Sequence, residues 1–377
     1  MYYWRLSGFY FFYFASLGAL IPYWGLYLKS LGFGVVEIGE LVAIIMATKI
    51  VAPNIWGWIA DHTGRRMRIV RLACLLTTLA FAGVFLSQGY WWLALVMTLF
   101  SFFWNAALPQ FEATTLNHLG SETHRYSSIR LWGSIGFIVA VAGLGSIFEK
   151  TGTALLPAVL VMLFAGIWLS SLVVPDRDTG HPHVDHEPLR KVLTQSSVIS
   201  FLLVCFLIQA SHGPYYTFYS LYLAAHDYSE TAIGQLWALG VIAEIGVFLK
   251  MHEWLPRFGA RYLLLVATVL TAIRWILIAL FVDQLWIMVI AQTMHAASFG
   301  VYHAVAIHLT HQLFIGRHQG RGQALYSSVS FGAGGAAGSL IAGYLWEGAG
   351  AQWMYIAAAA TAVLAGWIAW RGIDSDV

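Results

Sequence analysis

The sequence predicts an all-α membrane protein with twelve transmembrane helices, and three observations lead to that prediction. Of the 377 residues, 59% are hydrophobic and only 10% are charged, whereas about 25% of the residues in a typical soluble domain are charged. Twelve apolar runs of about 20 residues or more follow one another, each long enough to cross a hydrocarbon core of roughly 30 Å. Lysine and arginine concentrate in alternate loops.

Each run is interpreted as one helix, because it exceeds a barrel strand and its backbone polar groups must be bonded internally in lipid. The first run follows Arg5 and has no small-residue cleavage site after it, so we expect a helix rather than a removed signal peptide. The predicted spans are residues 6–28, 37–60, 68–87, 91–118, 127–148, 152–174, 197–225, 230–254, 260–282, 285–313, 320–346 and 350–371.

The cations of the short loops predict the orientation. With the N-terminus inside, the outer face collects only Lys29 and Lys150. We therefore expect both termini to be cytoplasmic and the protein to lie in a bacterial inner membrane. The cytoplasmic face collects Arg5, Arg65, Arg66, Arg68, Arg71, Arg125, Arg177, Arg190, Lys191, Arg257, Arg261, Arg317, Arg321 and Arg371.

The longest polar stretch predicts a division into two halves. It runs from Pro175 to Gln195, and we interpret residues 175–196 as a cytoplasmic linker between six-helix bundles at 1–174 and 197–377. Metal binding by its histidines is the alternative to a solvated linker. Two six-helix halves joined in this way resemble the major facilitator superfamily, which implies pseudo-symmetric bundles with a substrate site between them near the midplane.

The loop after helix two strengthens this resemblance. Residues 57–66, Gly-Trp-Ile-Ala-Asp-His-Thr-Gly-Arg-Arg, are similar to the superfamily signature G-x-x-x-D-x-x-G-R-[RK]. An Asp at a helix end, an Arg cluster and a Gly turn predict a conformational latch at the cytoplasmic face. Positive-inside orientation alone is the other explanation of the cations. The predicted latch residues are Gly57, Asp61, Gly64, Arg65 and Arg66.

Five ionisable side chains fall inside apolar runs, namely Lys49, Glu112, Arg130, Glu244 and Arg274. A charge at mid-membrane costs roughly 2.5–3.5 kcal/mol on insertion scales, so such residues normally face a water-filled cavity and mark a transport path. If all five are ionised, three cations face two anions, and one carboxylate on a substrate would balance them. The alternative is that Lys49 is neutralised by burial or bonded to carbonyl groups.

Glu112 on helix four and Arg130 at the start of helix five are joined by a short antiparallel connection, so their side chains can pair. A structural salt bridge is one interpretation. The other is a binding site, because Gly and Ser positions beside Arg130 leave room for a ligand and Phe137, two turns along, offers a stacking face.

A closer resemblance comes from these same helices. Pro-x-x-Glu followed by Arg-x-x-Gly-Ser-x-Gly-Phe resembles the lactose permease group, and the Arg-Leu-Trp-Gly-Ser stretch is shared with the bacterial phenylpropionate permease group. The lactose permease resemblance implies that Glu112 and Arg130 hold the substrate while an aromatic ring stacks on it. The likeness covers nearly the whole chain and continues through residues 209–216, 236–244, 274–275, His295, His303 and 323–327.

The same resemblance implies a proton-coupling region of Glu244, Arg274 and His295. A carboxylate at membrane depth holds a proton readily and imidazole titrates near physiological pH, so these residues predict a proton switch. A static bridge between helices eight and nine is the alternative. Lactose permease has another acid one turn beyond the helix-ten His, where this chain has Ser298. Coupling would then rest on Glu244 with His295, on Glu112, or be absent. His303 faces the same cavity or packs as a hydrogen-bonded core residue.

Aromatic residues make up 15% of the chain. Tyr216 on helix seven and Trp237 on helix eight are candidates to line a pocket beside the cationic site, which would suit an aromatic acid. Packing is the alternative for each ring.

These observations predict a secondary active transporter that works by alternating access. The expected activity is H⁺-coupled symport of a small organic acid, and the resemblance to the phenylpropionate permease group implies an aromatic monocarboxylate. Lys49 and Arg130 would hold the carboxylate, and Glu112 would orient Arg130. The phenylpropionate permease group also carries a cation at the place of Lys49. An H⁺-coupled sugar or nucleoside symporter is the first alternative, and a receptor that does not transport is the second.

Other function classes are disfavoured by motifs that the sequence lacks. It has no Walker A loop, no HExxH, no paired catalytic carboxylates and no nucleophile elbow, so neither an ATP-driven pump nor an enzyme is predicted. Cys74 and Cys205 give no disulfide framework and no metal spacing. A net charge of +2 indicates no nucleic-acid partner. We expect no metal or cofactor, and a monomer in membrane lipid whose partners are its substrate and H⁺.

Overall fold

The computed structural model describes residues 2–120, 122, 125–176, 190–315 and 318–373. Within these ranges the chain is helical and forms no β-strand. Every span that the sequence predicts is occupied by a helix, and we number these helices α1 to α12. The all-α prediction is therefore confirmed for the described residues. Ten of the described helices are long and apolar enough to cross a membrane.

The first six helices are α1 (Tyr3–Ser30), α2 (Val35–Thr63), α3 (Arg66–Phe85), α4 (Tyr90–Leu119), α5 (Tyr126–Thr151) and α6 (Thr153–Leu172). The next four are α7 (Ser196–Ala224), α8 (Glu230–Phe258), α9 (Ala260–Phe281) and α10 (Leu285–Leu313). Helix α11 runs from Gln319–Ser327 through to Gly335–Ala349, and α12 is Ala351–Gly372. One short helix, Arg190–Leu193, precedes α7.

Helices α10 and α11 each contain a π-helical segment, Ala296–Val301 in α10 and Ser328–Gly334 in α11. A π-helix bonds residue i to i+5 and is wider than an α-helix. Such segments occur frequently at functional sites. Both segments belong to the second half of the chain.

The chain forms two compact units, each of which includes a short segment from the other half of the sequence. Unit 1 comprises Met1–Phe33, Thr48–Asp185 and Ser229–Gln235, and unit 2 comprises Gly34–Ala47, His186–Tyr228 and Leu236–Val377. The boundary between the units therefore falls within α2 and within α8. The bundles predicted at 1–174 and 197–377 follow chain order instead and stay a prediction. Residues 177–189 of the predicted linker lie outside the described residues.

Close backbone packing explains why the units contain these short segments. Within unit 1, a Cβ atom added to Gly234 would lie 2.5 Å from the carbonyl oxygen of Val141 on α5. Within unit 2, a Cβ atom added to Gly39 would lie 2.9 Å from the carbonyl oxygen of Ser339 on α11. Glycine allows each segment to approach a neighbouring helix more closely than any side chain would permit.

In unit 1, α1 and α5 also pack backbone against backbone. A Cβ atom added to Gly18 would lie 2.6 Å from the Phe137 carbonyl oxygen, and one added to Gly136 would lie 2.9 Å from the Phe11 carbonyl carbon. In lipid, helices associate through van der Waals packing, and small residues allow the closest contact. This crossing therefore requires glycine at both positions.

Unit 2 repeats this contact between α7 and α11. A Cβ atom added to Gly338 would lie 2.8 Å from Ala210 Cα, and one added to Gly213 would lie 2.5 Å from the Ser339 backbone nitrogen. These helices are the first and fifth of the second set of six, as α1 and α5 are of the first set. The repeated glycine contact is what an internal repeat of six helices would produce.

We expect Gly136→Ala to lower the free energy of unfolding by about 1–3 kcal/mol, because the new methyl group meets backbone atoms that cannot move aside. Gly143→Ala is the matched control, since it lies on the same helix and its Cβ would have no neighbour within 4 Å. Alanine at position 143 should leave stability unchanged or raise it by up to about 1 kcal/mol. Thermal unfolding in detergent measures both variants, and equal stability would contradict the packing described for α1 and α5.

Candidate functional site

Glu112 on α4 and Arg130 on α5 are connected through aromatic side chains in unit 1. The Tyr126 hydroxyl donates a hydrogen bond of 3.4 Å to Glu112 Oε1. The Arg130 guanidinium carbon lies 3.7 Å from the ring centre of Phe14 and 5.7 Å from that of Tyr10. Among the described residues, no ion pair joins Glu112 to Arg130. The direct pairing that the sequence suggested is thus replaced by a cation held on the faces of aromatic rings.

The space beside Arg130 is filled by the protein itself. We expected the neighbouring glycine to leave room for a ligand, but a Cβ atom at Gly133 would lie 2.6 Å from Arg130 Nη1 and 2.7 Å from Phe14 Cδ2. Gly133 therefore accommodates the stack of guanidinium on phenyl ring. Phe137 is only 7% exposed, and its carbonyl group lies against α1. The structure thus places Phe137 in a helix contact instead of at an open surface.

Lys49 on α2 is half-buried next to a polar network. Thr48 Oγ1 donates to Ser101 Oγ over 2.9 Å, and Asn105 Nδ2 donates to Thr48 Oγ1 over 2.9 Å. Lys49 itself makes no ion pair or hydrogen bond with another residue in the part of the chain that the structure describes. Its ammonium group is therefore the one interior cation of unit 1 that carries neither an aromatic stack nor a polar partner within that part.

In unit 2 the structure brings Glu244, Arg274 and His295 into one line. His295 lies in the middle, with Nδ1 3.1 Å from Arg274 Nη1 and Nε2 3.6 Å from Glu244 Oε2. A guanidinium group has only donors, so Nδ1 of His295 must accept. A neutral imidazole then carries its proton on Nε2, which faces the carboxylate. Any change of charge on Glu244 therefore reaches Arg274 through one imidazole ring.

Arg274 on α9 is 0% exposed. Its Nε donates to the Ala291 carbonyl over 2.9 Å, and its Nη1 donates to Ser298 Oγ over 2.9 Å. The rings of Tyr215 and Trp275 lie 4.2 and 4.6 Å from the guanidinium carbon. Within the described chain no carboxylate pairs with it directly, so neutral acceptors and aromatic faces stabilise the buried charge. Ser298 is one of these uncharged acceptors.

Two glycines bring α8 and α10 close enough for this line to form. A Cβ atom at Gly240 would lie 3.1 Å from Gln292 Oε1, and one at Gly300 would lie 3.3 Å from Glu244 Cγ. Gly240 and Glu244 are one turn apart and share a face of α8. Gly300 lies in the π-helical segment of α10. Helix α8 therefore presents its carboxylate to α10 across a contact made of small residues.

The two aromatic candidates of unit 2 differ in exposure. The Trp237 indole N–H donates to Ser220 Oγ over 3.0 Å, and its ring centre lies 4.4 Å from that of Tyr215, so Trp237 is buried inside the unit. Tyr216 is half-buried and stacks on His212 at 5.8 Å. Of the two, only Tyr216 offers surface to a ligand in this conformation.

His303 on α10 is half-buried, and its Nδ1 lies 2.9 Å from the Tyr326 hydroxyl on α11. Its ring is parallel to that of Phe299, which in turn is parallel to that of His295. His303 therefore lies on the same face of α10 as His295, about two helical turns further along the chain. It is separated from the line of Glu244, His295 and Arg274 by a phenyl ring.

Comparison with known proteins identifies the family. The family model described as MFS_1 like family matches residues 3–357. The chain belongs to this family. It is a multi-pass membrane transporter family, so the protein is a transporter and not an enzyme.

Relatives and solved structures agree with this assignment. A probable 3-phenylpropionic acid transporter of Escherichia coli (strain K12) is 29% identical over 92% of each chain. Maltose permease of Geobacillus stearothermophilus is 27% identical over 90% of this chain and 86% of the permease. A crystal structure of a mutant of the nucleoside transporter NupG superposes with a TM-score of 0.88 at 16% identity, over 99% of this chain and 100% of that one. The predicted major facilitator fold is thereby confirmed.

Several residues that contact Arg274, Arg130 and Glu112 were not predicted from the sequence. Gln292 Oε1 accepts from the Tyr215 hydroxyl over 3.0 Å, next to Arg274. An amide inside an apolar run, three residues before His295, was a usable signal, because a polar group in lipid needs a partner. Phe14 and Tyr126 carried no such signal, since rings are common throughout the chain.

The signature at residues 57–66 spans the last turns of α2, the short turn at Gly64 and Arg65, and the first residue of α3. Gly64 has a φ of +66°, in the left-handed region that L side chains rarely adopt. Arg65 precedes α3 and Arg66 begins it. A Cβ atom at Gly57 would meet Gln110 Nε2 at an ordinary 3.5 Å. The side chain of Asp61 lies outside the described part of the structure, so the latch stays a prediction.

We expect Gly64→Ala to lower the free energy of unfolding by about 1–2 kcal/mol, because alanine is strained at positive φ. Gly57→Ala in the same signature should change it by less than about 0.5 kcal/mol, since the added methyl group has space. Thermal unfolding in detergent compares the two, and a neutral Gly64→Ala would argue against a required left-handed turn.

Proposed function

We propose that this transporter carries out H⁺-coupled symport of a small aromatic monocarboxylate by alternating access. The line of Glu244, His295 and Arg274 carries the proposal, because it joins two titratable groups to a buried cation that has no direct acidic partner among the described residues. Titratable groups linked in this way at membrane depth are typical of proton pathways.

The coupling step follows from the charges. When Glu244 is ionised, its carboxylate attracts the Nε2 proton of His295, and the imidazole in turn accepts from Arg274. Protonation of Glu244 removes that negative charge and leaves Arg274 stabilised by neutral groups alone. The two protonation states therefore favour different arrangements of α8, α9 and α10, and a proton can bias a conformational equilibrium only through such a difference. His303, hydrogen-bonded to Tyr326, is proposed as a further titratable group of this region.

Two cations of unit 1 are proposed to bind the carboxylate of the substrate. Lys49 has a half-buried ammonium group without a partner in the described chain, and Arg130 is fixed in place by the Phe14 ring. A charge-assisted hydrogen bond to a carboxylate is about twice as strong as a neutral one. Glu112, which accepts a hydrogen bond from Tyr126, is proposed to orient Arg130.

An aromatic acid is favoured as the substrate because of the excess of interior cations and the relative named as a probable 3-phenylpropionic acid transporter. A sugar or nucleoside symporter is the rival. Maltose permease and NupG, to which this chain is also similar, support that rival. Lys49, which has no partner among the described residues, opposes it, since a neutral sugar would leave the excess charge unbalanced.

We further propose that the protein acts as a monomer in a bacterial inner membrane with both termini in the cytoplasm. The support for the orientation is the concentration of loop arginines on one face of the predicted topology.

We expect Lys49→Ala to raise KM for 3-phenylpropionate at least about tenfold in sealed vesicles, because one charge-assisted hydrogen bond of about 1.5–3 kcal/mol is lost. Lys250→Ala is the control, since Lys250 is exposed and pairs with Glu253. Its KM should equal that of the wild type. Saturable sugar uptake that Lys49→Ala leaves unchanged would favour the sugar symporter instead.

We expect Glu244→Gln to abolish accumulation against a gradient while exchange of substrate across the membrane continues, because a glutamine cannot take up the coupled proton. Glu253→Gln on the same helix is the control, since Glu253 is half exposed and forms a surface pair. A pH dye inside the vesicles reports the proton flux. Accumulation with proton flux in Glu244→Gln would show that coupling lies elsewhere.

A further inference from the structure

Four aromatic side chains gather where the π-helical segments of α10 and α11 meet in unit 2. We call them the aromatic box: Phe299, His303, Tyr326 and Phe331. The Phe331 ring centre lies 6.3 Å from that of Phe299, 5.9 Å from that of His303 and 5.8 Å from that of Tyr326. The Phe299 and His303 ring centres are 5.6 Å apart and their planes differ by 5°. These distances are those of interacting aromatic pairs.

The π-helical segments build this arrangement. In an α-helix with 3.6 residues per turn, every fourth residue drifts by about 40° around the axis. The wider π turn at Ala296–Val301 reduces that drift, so His295, Phe299 and His303 keep nearly parallel rings on one face, with plane angles of 9° and 5°. Phe331 lies inside the second segment, Ser328–Gly334, and its ring contacts those of Phe299 and His303.

Three of the four rings of the aromatic box are partly exposed, and the fourth is buried. Phe299, His303 and Phe331 are each partly exposed, whereas Tyr326 is 1% exposed and holds His303 through its hydroxyl group. The same face of α10 carries His295 beside the Glu244 carboxylate, whose side chain is 17% exposed. A titratable pair of this kind is unfavourable against hydrocarbon, so this face of α10 is not turned to lipid.

We propose that the aromatic box binds the aryl ring of the transported acid and sets the preference for aromatic substrates. This inference rests on the function proposed above and names the residues that recognise the ring. A phenyl ring packed against Phe299 and Phe331 gains edge-to-face or offset-stacked contacts that a saturated ring of the same size does not. Phe299 also stacks on His295, so a bound ring lies one side chain away from the proton-coupling line.

The test compares 3-phenylpropionate with 3-cyclohexylpropionate, which share the carboxylate and the chain length and differ only in the aromaticity of the ring. KM for both acids is measured in sealed vesicles for the wild type, Phe299→Leu, Phe331→Leu and Phe299→Tyr. Phe248→Leu is the control, because Phe248 is a 39% exposed phenylalanine of α8 in the same unit. Thermal unfolding in detergent identifies any variant that fails to fold.

We expect the wild type to prefer the phenyl acid by about three- to tenfold, which is the size of one aromatic pair contact. Phe299→Leu and Phe331→Leu should each reduce that preference toward one by raising KM for the phenyl acid alone. Phe299→Tyr, which keeps a ring, and Phe248→Leu should retain the preference.

Three results would overturn the proposal. A wild-type preference that Phe299→Leu and Phe331→Leu both retain would show that the ring binds elsewhere. An equal rise in KM for both acids would show that the box supports packing alone. Absence of saturable uptake of either acid by the wild type would overturn both the proposed substrate class and the proposed role of the aromatic box. This outcome is measured on the wild type first, before any variant is compared.

Discussion

Arg274 carries a guanidinium group that is completely buried among side chains of α7, α9 and α10, and the polar and aromatic residues around it are arranged to stabilise its charge. An isolated charge in a low-dielectric interior is unfavourable by many kcal/mol, so the surroundings must supply acceptors and aromatic faces. A backbone carbonyl, a serine hydroxyl and an imidazole nitrogen accept its protons, and Tyr215 and Trp275 cover its faces. The position of His295, and through it that of Glu244, follows from this requirement.

Small residues and π-helical turns make such side-chain arrangements possible. Gly240 and Gly300 let α8 approach α10, and the wide turn of α10 keeps a row of rings on one face. In unit 1, Gly133 has a similar purpose, since it makes space for Arg130 on the Phe14 ring. The glycine contacts between α1 and α5 and between α7 and α11 hold the scaffold around both sites.

The two units thus carry chemically different sets of residues. Unit 1 holds two cations in aromatic and polar surroundings, which suits recognition of an anionic group. Unit 2 holds the line of Glu244, His295 and Arg274, together with the aromatic box. Within unit 1, an anionic group would balance the cations, whereas a neutral sugar would leave their charge unbalanced.

The sequence alone determined the helical fold, the approximate spans and the list of interior charges, because lipid permits few backbone structures and makes each buried charge conspicuous. It also identified Glu244, Arg274 and His295 as one group through resemblance. Only the tertiary structure decided which atoms meet. The contact of Glu112 with Tyr126 and of Arg130 with Phe14, the filling of the space at Gly133, and the contact of Phe299 with Phe331 depend on helix rotation and on π turns. Neither helix rotation nor these side-chain contacts can be predicted from composition or residue spacing, because rings and glycines occur throughout an apolar chain. Packing alone decides which of them face each other.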